Sequence, residues 1–157
     1  MGKVSVQIYV SGTGKFPDVT LRSILTQLPD AAEFFILAPE NENFSRLQAF
    51  AAADSRIRLE THAGTLTTAR QYMLETTAAD YVMPLSAGVL PLSGGIARLQ
   101  MILDHIPLLS GVYGKLAGYD LDTGGIVFVK GHPFSCFNAL QSNPVPTGAV
   151  MLRRQTA

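Results

Sequence analysis

The segment VSVQIYV, at residues 4–10, opens the pattern that decides the fold. Its β-branched and aromatic residues predict a β-strand. In residues 21–28, apolar side chains then recur at the spacing of one helix face, and strand-like and helix-like segments keep alternating up to residue 106. This alternation predicts an α/β fold in which parallel strands are joined by crossover helices.

The segments that follow extend the same pattern. Short apolar runs predict strands at residues 34–37, 57–59 and 81–85. The helix ahead of the last of these strands is expected to start at a capping threonine, either Thr65 or Thr67. Three of its residues are predicted to be buried: Ala69, Tyr72 and Met73. A further helix is predicted from the spacing of Ile96, Leu99, Leu103 and Ile106.

The last third of the chain changes character. Residues 112–116 and 126–129 are predicted to be strands joined by YDLDTGG, at residues 119–125, which has the chemistry of a hairpin turn. Residues 150–152 predict a final strand. We therefore expect a mostly parallel sheet with antiparallel C-terminal strands, within a single domain that spans residues 1–157.

Composition excludes several classes of protein. The chain is 47% hydrophobic and 15% charged, which is typical of a globular domain with one core. Its 12 basic and 12 acidic residues balance, so we expect no nucleic-acid partner. No apolar run approaches the length of about 18 residues that a transmembrane segment needs. The single cysteine, Cys136, excludes an intrachain disulfide, so we expect a buried thiol and a cytoplasmic location.

The glycine-bearing loop GTGK, at residues 12–15, does not fit the common phosphate-binding motifs. A Walker A loop would need glycine where Tyr9 stands and serine or threonine where Phe16 stands. The dinucleotide fingerprint would need glycine in place of Pro17. We therefore interpret this loop as a turn beside a site.

Metal-binding patterns are also absent from the sequence. None of the three histidines, His62, His105 and His132, has another ligand residue at the spacing of a zinc site. Asp120 and Asp122 match the D-x-D spacing of a metal-binding pair, but they lie in the predicted hairpin turn. Aspartate is common in turns because it forms local hydrogen bonds there, and we interpret the pair in this way.

Six segments, taken in order, resemble a family 2 glycosyltransferase of the GT-A fold. LRSILTQ, at residues 21–27, is similar to the first helix of that family, and Gly64 followed by Thr68, Ala69 and Arg70 is similar to its glycine-to-arginine segment. The resemblance covers nearly the whole chain. The six segments are residues 4–10, 21–27, 55–59, 64–70, 79–85 and 143–154.

The resemblance implies a uridine nucleotide or nucleotide-sugar ligand, held at the carboxyl ends of the parallel strands, where open α/β sheets bind ligands. Arg70, near a helix start, is the candidate that compensates the diphosphate charge, since arginine and a helix N-terminus both favour phosphate. Gly88 leaves room for a close approach of the backbone. The candidate nucleotide-binding residues are Tyr9, Val10, Ser11, Gly12, Ala38, Glu40, His62, Arg70, Ser86, Ala87 and Gly88.

Several of these assignments have a structural alternative that the sequence leaves open. Arg70 has Glu75 and Asp80 nearby in the sequence as possible ion-pair partners. His62 is also compatible with an ordinary loop residue, and residues 86–88 with a plain turn. Tyr9, at the end of the first strand, also fits a place in the core.

The chain departs from the family pattern at its metal-binding and catalytic positions. The family usually has two aspartates after the second strand, where Ala38 and Pro39 stand here. Its D-x-D motif, which holds the metal and the diphosphate, corresponds to residues 86–88, which contain no carboxylate. Because Mg²⁺ and Mn²⁺ favour carboxylate ligands, we expect neither a divalent metal nor another cofactor. No Asp or Glu follows Asp122, so no catalytic residue is assigned.

Three functions are compatible with the sequence. The first is a glycosyltransferase-like protein that binds UDP or a UDP-sugar without metal and without turnover. The second is an active glycosyltransferase whose base comes from a partner or from an unusual residue such as Asp120 or Asp122. The third is a protein-interaction module that keeps the fold and has lost its ligand.

Overall fold

Strands and helices alternate along the chain in the computed structural model, which describes residues 2–10, 18–39, 42–86, 88–120, 122–146 and 148–157. The first part consists of β1 (Val4–Tyr9), α1 (Asp18–Leu25), β2 (Glu33–Ala38), α2 (Glu42–Ala53), β3 (Ile57–Thr61), α3 (Leu66–Thr76), β4 (Tyr81–Leu85) and α4 (Gly95–His105). The second part consists of β5 (Gly111–Tyr113), β6 (Leu116–Tyr119), β7 (Ile126–Lys130), α5 (Cys136–Gln141), β8 (Val150–Arg153) and a 3-10 turn (Arg154–Thr156). None of the helices within these ranges combines the length and the apolar character needed to cross a bilayer.

Six strands form one sheet, in the order β3-β2-β1-β4-β8-β5. β1 pairs in parallel with β2 and with β4, and β2 pairs in parallel with β3. β8 runs antiparallel between β4 and β5. The predicted α/β class, with a mostly parallel sheet and antiparallel C-terminal strands, is confirmed.

Helices cover the two faces of this sheet unequally. On one face, strand side chains such as Val6 and Ile8 pack with the apolar sides of α1, α2 and α4 in the main core. On the other face, α3 covers a smaller cluster that includes Leu37, Ala69 and Met73. Burial on both faces explains why β2 and β4 are nearly continuous apolar runs, as is typical of parallel sheets.

The strand predicted at residues 112–116 is wrong, because the structure contains two short strands there that belong to different sheets. β5 pairs with β8 in the main sheet, whereas β6 pairs with β7 in a separate two-stranded sheet. The chain leaves the main sheet at Gly114, whose N–H donates to the carbonyl of Ala149 at 2.8 Å. The predicted hairpin is confirmed between β6 and β7, where the Asp120 N–H donates to the carbonyl of Gly125.

Two burial predictions are wrong, those for Tyr72 and Cys136. Tyr72 is 38% exposed. The helix predicted to include Ile106 ends one residue earlier, at His105, and Ile106 is 47% exposed. Cys136 is exposed on α5, a short helix without a sequence period long enough to predict it. The capping threonine of α3 is Thr65, whose hydroxyl accepts a hydrogen bond from the Thr68 N–H at 3.3 Å.

Arg153, at the end of β8, ties α4 to the sheet. Its Nε donates to the carbonyl of Leu109 at 2.7 Å, and its Nη2 donates to the carbonyls of Leu103 and Ile106 at the C-terminal end of α4. The guanidinium also lies over the Tyr81 ring, 5.4 Å from its centroid. The last carbonyls of a helix have no partner within the helix, so Arg153 satisfies groups that would otherwise need water.

We expect Arg153→Ala to lower the free energy of unfolding by about 2 kcal/mol, since several carbonyls lose their donor at once. Arg98→Ala, on the exposed side of α4, is the matched control and should change stability by less than about 0.5 kcal/mol. Urea unfolding followed by circular dichroism measures both values. Equal losses in the two variants would contradict the anchoring role.

Candidate functional site

The candidate site lies at the carboxyl edge of the parallel strands. β1, β2, β3 and β4 run in the same direction, so all four end at this edge. The chain passes from β1 to β2 on one side, while β4 lies on the other side, so the β1–β4 boundary is the switch point where open α/β sheets have their ligand crevice. Four predicted site residues lie outside the described residues: Ser11, Gly12, Glu40 and Ala87.

Helix α3 begins at this same edge. A short loop after β3 leads into it, and the hydroxyl of Tyr9 donates to the carbonyl of Gly64 in that loop at 2.7 Å. The end of β1 is thereby linked to the start of α3. Thr65 caps the helix, and the partial positive charge at a helix N-terminus favours anionic groups nearby.

Three aromatic rings meet on the β3 side of the edge. His62 lies between Tyr9 and Tyr72, edge-on to the first ring and stacked on the second, with centroids 6.1 Å apart in each pair. The Nε2 of His62 lies 3.0 Å from Oγ1 of Thr68 on α3. His62 is therefore held by rings on two sides and by a helix residue, which is more order than the ordinary-loop alternative requires.

A charged network fixes Tyr72 at the rim of the sheet. Its hydroxyl donates to Oε2 of Glu60 at 2.7 Å, and Nε of Arg58 donates to Oε1 of the same carboxylate at 2.7 Å. Burial raises the pKa of Glu60, but the hydrogen bonds from Tyr72 and Arg58 outweigh burial and hold this pKa below its usual value. The hydrogen bond to Glu60 raises the pKa of Tyr72 in turn. Because its hydroxyl binds the ionised Glu60 at the rim, the Tyr72 side chain stays partly exposed instead of packing between α3 and the sheet.

Arg70 lies on the flank of α3 that faces away from Tyr72, because residues two apart on an α-helix point about 200° apart. Since the Tyr72 hydroxyl binds Glu60 of β3, Arg70 lies on the flank of α3 opposite β3. Its alternative partners are engaged elsewhere: Glu75 accepts from a glutamine of α3 at 2.9 Å, and Asp80 accepts from the Lys3 N–H at 2.7 Å. Arg70 takes part in none of the ion pairs between described residues, so its charge remains open to an anion.

The end of β4 is a tight turn with open space beside it. Ser86 is exposed, and its carbonyl accepts a hydrogen bond from the Val89 N–H at 3.1 Å. Gly88 has a φ of +89°, and a Cβ there would meet nothing within 4 Å. Gly148 approaches the same turn, since a Cβ on it would lie 3.2 Å from the Val89 side chain. The positive φ of Gly88 and the open space beside it leave room for a ligand against its backbone.

Two predicted site residues point into the core. Val10 is 2% exposed and Ala38 is fully buried. Their backbones bind neighbouring strands: the Val10 N–H donates to Leu37 at 2.8 Å, and the Ala38 carbonyl accepts from the His62 N–H at 3.0 Å. These residues therefore form the floor of the crevice. Tyr9 belongs to both the core and the edge: its half-buried ring packs against the cluster under α3, and its hydroxyl lies at the edge of the sheet.

The described part of this edge contains no cluster of metal-binding side chains. Among the described residues, no three or more His, Cys, Asp or Glu side chains come together. Asp120, in the hairpin turn, accepts from the N–H groups of Asp122 at 2.9 Å and Thr123 at 3.4 Å. These hydrogen bonds lower the pKa of Asp120, as expected of a turn residue.

Residues that the sequence did not assign to the site also contribute to it. Gly64 is needed because a Cβ there would overlap Oγ1 of Thr68 and Nε2 of His62. Tyr72 was expected in the core, and Gly148 is more than 50 positions away from the turn that it approaches. The threonines near the helix start indicated that Thr68 could lie at the site. No neighbouring residues indicated that Gly148 approaches the turn after β4.

Comparison with known proteins identifies a fold and no family. No protein-family model matches the sequence, and no curated protein matches it either. Among solved structures, the chain is similar to the mannosyltransferase PcManGT from Pyrobaculum calidifontis in complex with GDP-Man and Mn²⁺, with a TM-score of 0.71 and 15% identity over 98% of this chain. It is also similar to TarS 1–349 of S. aureus, with a TM-score of 0.70 and 15% identity over 97% of this chain.

These likenesses confirm the GT-A glycosyltransferase fold that the sequence predicted. At 15% identity they establish the fold alone, because one fold hosts many functions. The chain spans less than half of either structure, 45% of the mannosyltransferase and 47% of TarS 1–349.

We expect Gly64→Ala to cost about 1 to 2 kcal/mol of unfolding free energy, because the new methyl group displaces the His62 and Thr68 side chains. Gly114→Ala is the control: a Cβ there meets nothing within 4 Å, so its effect should lie within about 0.5 kcal/mol. Chemical denaturation measures both. Identical values for the two variants would show that the close packing around Gly64 is unimportant.

Proposed function

We propose that this chain is a family 2-like glycosyltransferase domain that binds UDP or a UDP-sugar without a metal ion and does not catalyse transfer by itself. The ligand occupies the crevice at the carboxyl edge, with its diphosphate between the N-terminal half of α3 and the turn after β4. The observation that carries the proposal is the position of Arg70. It is an arginine without a carboxylate partner among the described residues, one turn into the helix that begins at the crevice.

The geometry supports an anionic ligand in three ways. Arginine forms charge-assisted hydrogen bonds with phosphate, and the start of α3 adds a favourable electrostatic field. Ser86 is exposed at the end of β4 and offers a hydroxyl, while Gly88 leaves its backbone open to close approach. The fold supplies the location, since ligands bind at the switch point of open α/β sheets.

The aromatic rings beside the crevice suit the nucleoside end of such a ligand. His62 and Tyr9 lie next to the strand ends. His62 is stacked on Tyr72 and edge-on to Tyr9, and the Tyr9 hydroxyl is bound to the Gly64 carbonyl, so both rings are oriented by neighbours. A fixed ring offers contact area at a low cost in side-chain entropy. The choice of uracil over guanine is part of the proposal, and it rests on the family resemblance.

The residues at the metal position do not fit a divalent cation. The mannosyltransferase structure holds Mn²⁺. In this chain the turn after β4 offers the hydroxyl of Ser86 and backbone groups, whereas Mg²⁺ and Mn²⁺ are normally held by at least one carboxylate. This mismatch supports metal-independent binding, with Arg70 as the counter-charge.

The local role of Asp120 supports the absence of turnover. Glycosyl transfer needs a base for the acceptor hydroxyl, and one oxygen of Asp120, Oδ1, accepts backbone N–H groups of its own turn, as expected of a structural turn residue. A cytoplasmic location, in agreement with the single unpaired cysteine, belongs to the same proposal.

The first test is a calorimetric and thermal-shift panel of UDP, UMP, GDP and UDP-sugars, with and without Mn²⁺. We expect UDP to bind with a micromolar Kd or weaker, to raise the Tm as a ligand of the native state must, and to respond little to Mn²⁺. Binding of GDP in preference to UDP would reject the uridine assignment. Release of sugar from a UDP-sugar would identify an active transferase, and failure of every nucleotide would leave the fold as an interaction module.

The second test concerns the diphosphate. Arg70→Ala should raise the Kd for UDP about tenfold or more, the loss of one charge-assisted bond, and should leave the Kd for uridine unchanged. Arg98→Ala, on the exposed side of α4, serves as the control and should change neither. Equal losses for UDP and uridine in Arg70→Ala would show that Arg70 does not contact the diphosphate.

A further inference from the structure

The contacts of Thr68, in the first turn of α3, determine which nitrogen of the His62 ring carries the proton. Oγ1 of Thr68 lies 3.0 Å from the carbonyl oxygen of Thr65. A carbonyl can only accept, so the single proton of the Thr68 hydroxyl is donated to Thr65. The same Oγ1 lies 3.0 Å from Nε2 of His62, and the proton of this second hydrogen bond must therefore come from the histidine. The neutral His62 ring is thus protonated on Nε2.

The other nitrogen of the ring, Nδ1, is consequently a hydrogen-bond acceptor, because a neutral imidazole has one N–H group and one lone pair. Nε2 lies on the side of the ring that faces Gly64, since a Cβ on that glycine would overlap it. Nδ1 points in a different direction, away from the start of α3. Among the residues that the structure describes, none donates a hydrogen bond to Nδ1.

Neighbouring groups hold the plane in which this lone pair lies. The ring of His62 is stacked on Tyr72 with an interplanar angle of 24° and is edge-on to Tyr9 at 86°. The backbone is held as well, because the His62 N–H donates to the carbonyl of Ala38 at the end of β2. A ligand that meets an acceptor already held in position has less side-chain entropy to overcome.

We infer that Nδ1 of His62 accepts a hydrogen bond from the ring N–H of a nucleobase, so that the site selects bases that carry this group. The inference rests on the proposed function, because it requires a nucleotide in the crevice. Uracil has such a donor at N3 and guanine at N1. Cytosine and adenine have a lone pair at the corresponding ring nitrogen, and it would face the lone pair of His62.

The selection follows from the cost of an unpaired group. A site built around a hydrogen bond discriminates strongly against an analogue that lacks the partner, because its own polar group is then left unsatisfied. Thr68 acts on the base only through His62 and is therefore a positioning residue. It holds the proton on Nε2 and keeps the lone pair on the side where the base would bind.

Calorimetry with UDP and CDP tests the selection, since these ligands share the ribose and the diphosphate and differ in the base. At about pH 8, where an imidazole is ordinarily neutral, UDP should bind at least about tenfold more tightly than CDP. His62→Phe keeps an aromatic ring without nitrogens and should bring the two Kd values within about threefold of each other. His132→Phe, at an exposed position outside the site, is the control and should keep the wild-type ratio.

The outcomes separate this inference from the proposed function. Equal binding of UDP and CDP, or a preference for UDP that survives His62→Phe, would overturn the inference and leave nucleotide binding established. A contact of His62 with the ribose would give this result, because both ligands carry the same ribose. If neither nucleotide binds, the proposed function fails and the inference fails with it.

The position of the proton can be measured without any nucleotide, by nitrogen NMR on a chain labelled at histidine. His62→Phe identifies the His62 signals among those of the three histidines. We expect the tautomer protonated on Nε2, with this proton protected from exchange with water. Thr68→Ser keeps the hydroxyl and should keep the protection, whereas Thr68→Val has a similar shape without the hydroxyl and should lose it.

Thr68→Val should also lower the ratio of UDP to CDP affinity by about threefold or more, because the ring is no longer held in one tautomer. Thr68→Ser should keep the wild-type ratio, and calorimetry measures both variants. A neutral His62 ring protonated on Nδ1, or a Thr68→Val chain that matches the wild type in both measurements, would overturn the inference.

Discussion

The parallel register of β1 with β2 and β4 is the constraint on which the rest of the structure depends. In this register Val6 and Ile8 face the main core, while Ser5 and Gln7 face α3. The polar pair has its own partners there: Ser5 donates to a carboxylate of Glu33 at 2.6 Å, and Gln7 donates to a carbonyl of α3 at 3.3 Å. A slip by one residue would exchange the two sets of side chains. Both polar groups would then be buried in an apolar core without hydrogen-bond partners.

The two faces of the sheet are packed by different kinds of side chain. The face packed by three helices supplies most of the buried apolar surface, whereas the α3 face mixes a small apolar cluster with carboxylates, arginine and tyrosine. One example is Glu33, which accepts hydrogen bonds from Ser5 and Thr77 and lies 3.6 Å from Arg58. The candidate site borders this polar face, so its side chains are oriented by hydrogen bonds more than by packing. Such groups keep fixed positions without filling the crevice with apolar bulk.

Sequence alone predicted the elements whose signal is local. The continuous apolar strands, the helix period of residues 21–28 and the threonine cap of α3 each follow from neighbouring residues, and the resemblance added the order of the segments. The split at Gly114 was missed because it depends on a hydrogen bond to Ala149, far along the chain. Tyr72 was placed in the core because helix spacing does not reveal that Glu60, on a different element, holds its hydroxyl at the rim.

The candidate site followed the same rule. Arg70 was predicted from its place near a helix start, and His62 and Ser86 from their places near strand ends. In the structure His62 follows β3, Ser86 follows β4 and Arg70 lies in the N-terminal half of α3. Whether these side chains have partners within the protein was not predictable, because it depends on the hydrogen bonds that Lys3, Gln71 and Thr68 form. The approach of Gly148 to the β4 turn has no sequence signal, because only the completed sheet brings those segments together.

The place of β8 in the sheet has a consequence for synthesis of the chain on the ribosome. The order β3-β2-β1-β4 involves residues made early, and these strands with their crossover helices can assemble while later residues are still emerging. β5 is made before β8, yet its main-sheet neighbour is β8, so β5 must wait without that neighbour until residues 150–153 arrive. Insertion of β8 beside β4, about 70 residues apart in sequence, is a non-local and therefore slow step. Until β8 emerges, β4 and β5 each keep an unpaired edge, and such edges are prone to misassembly.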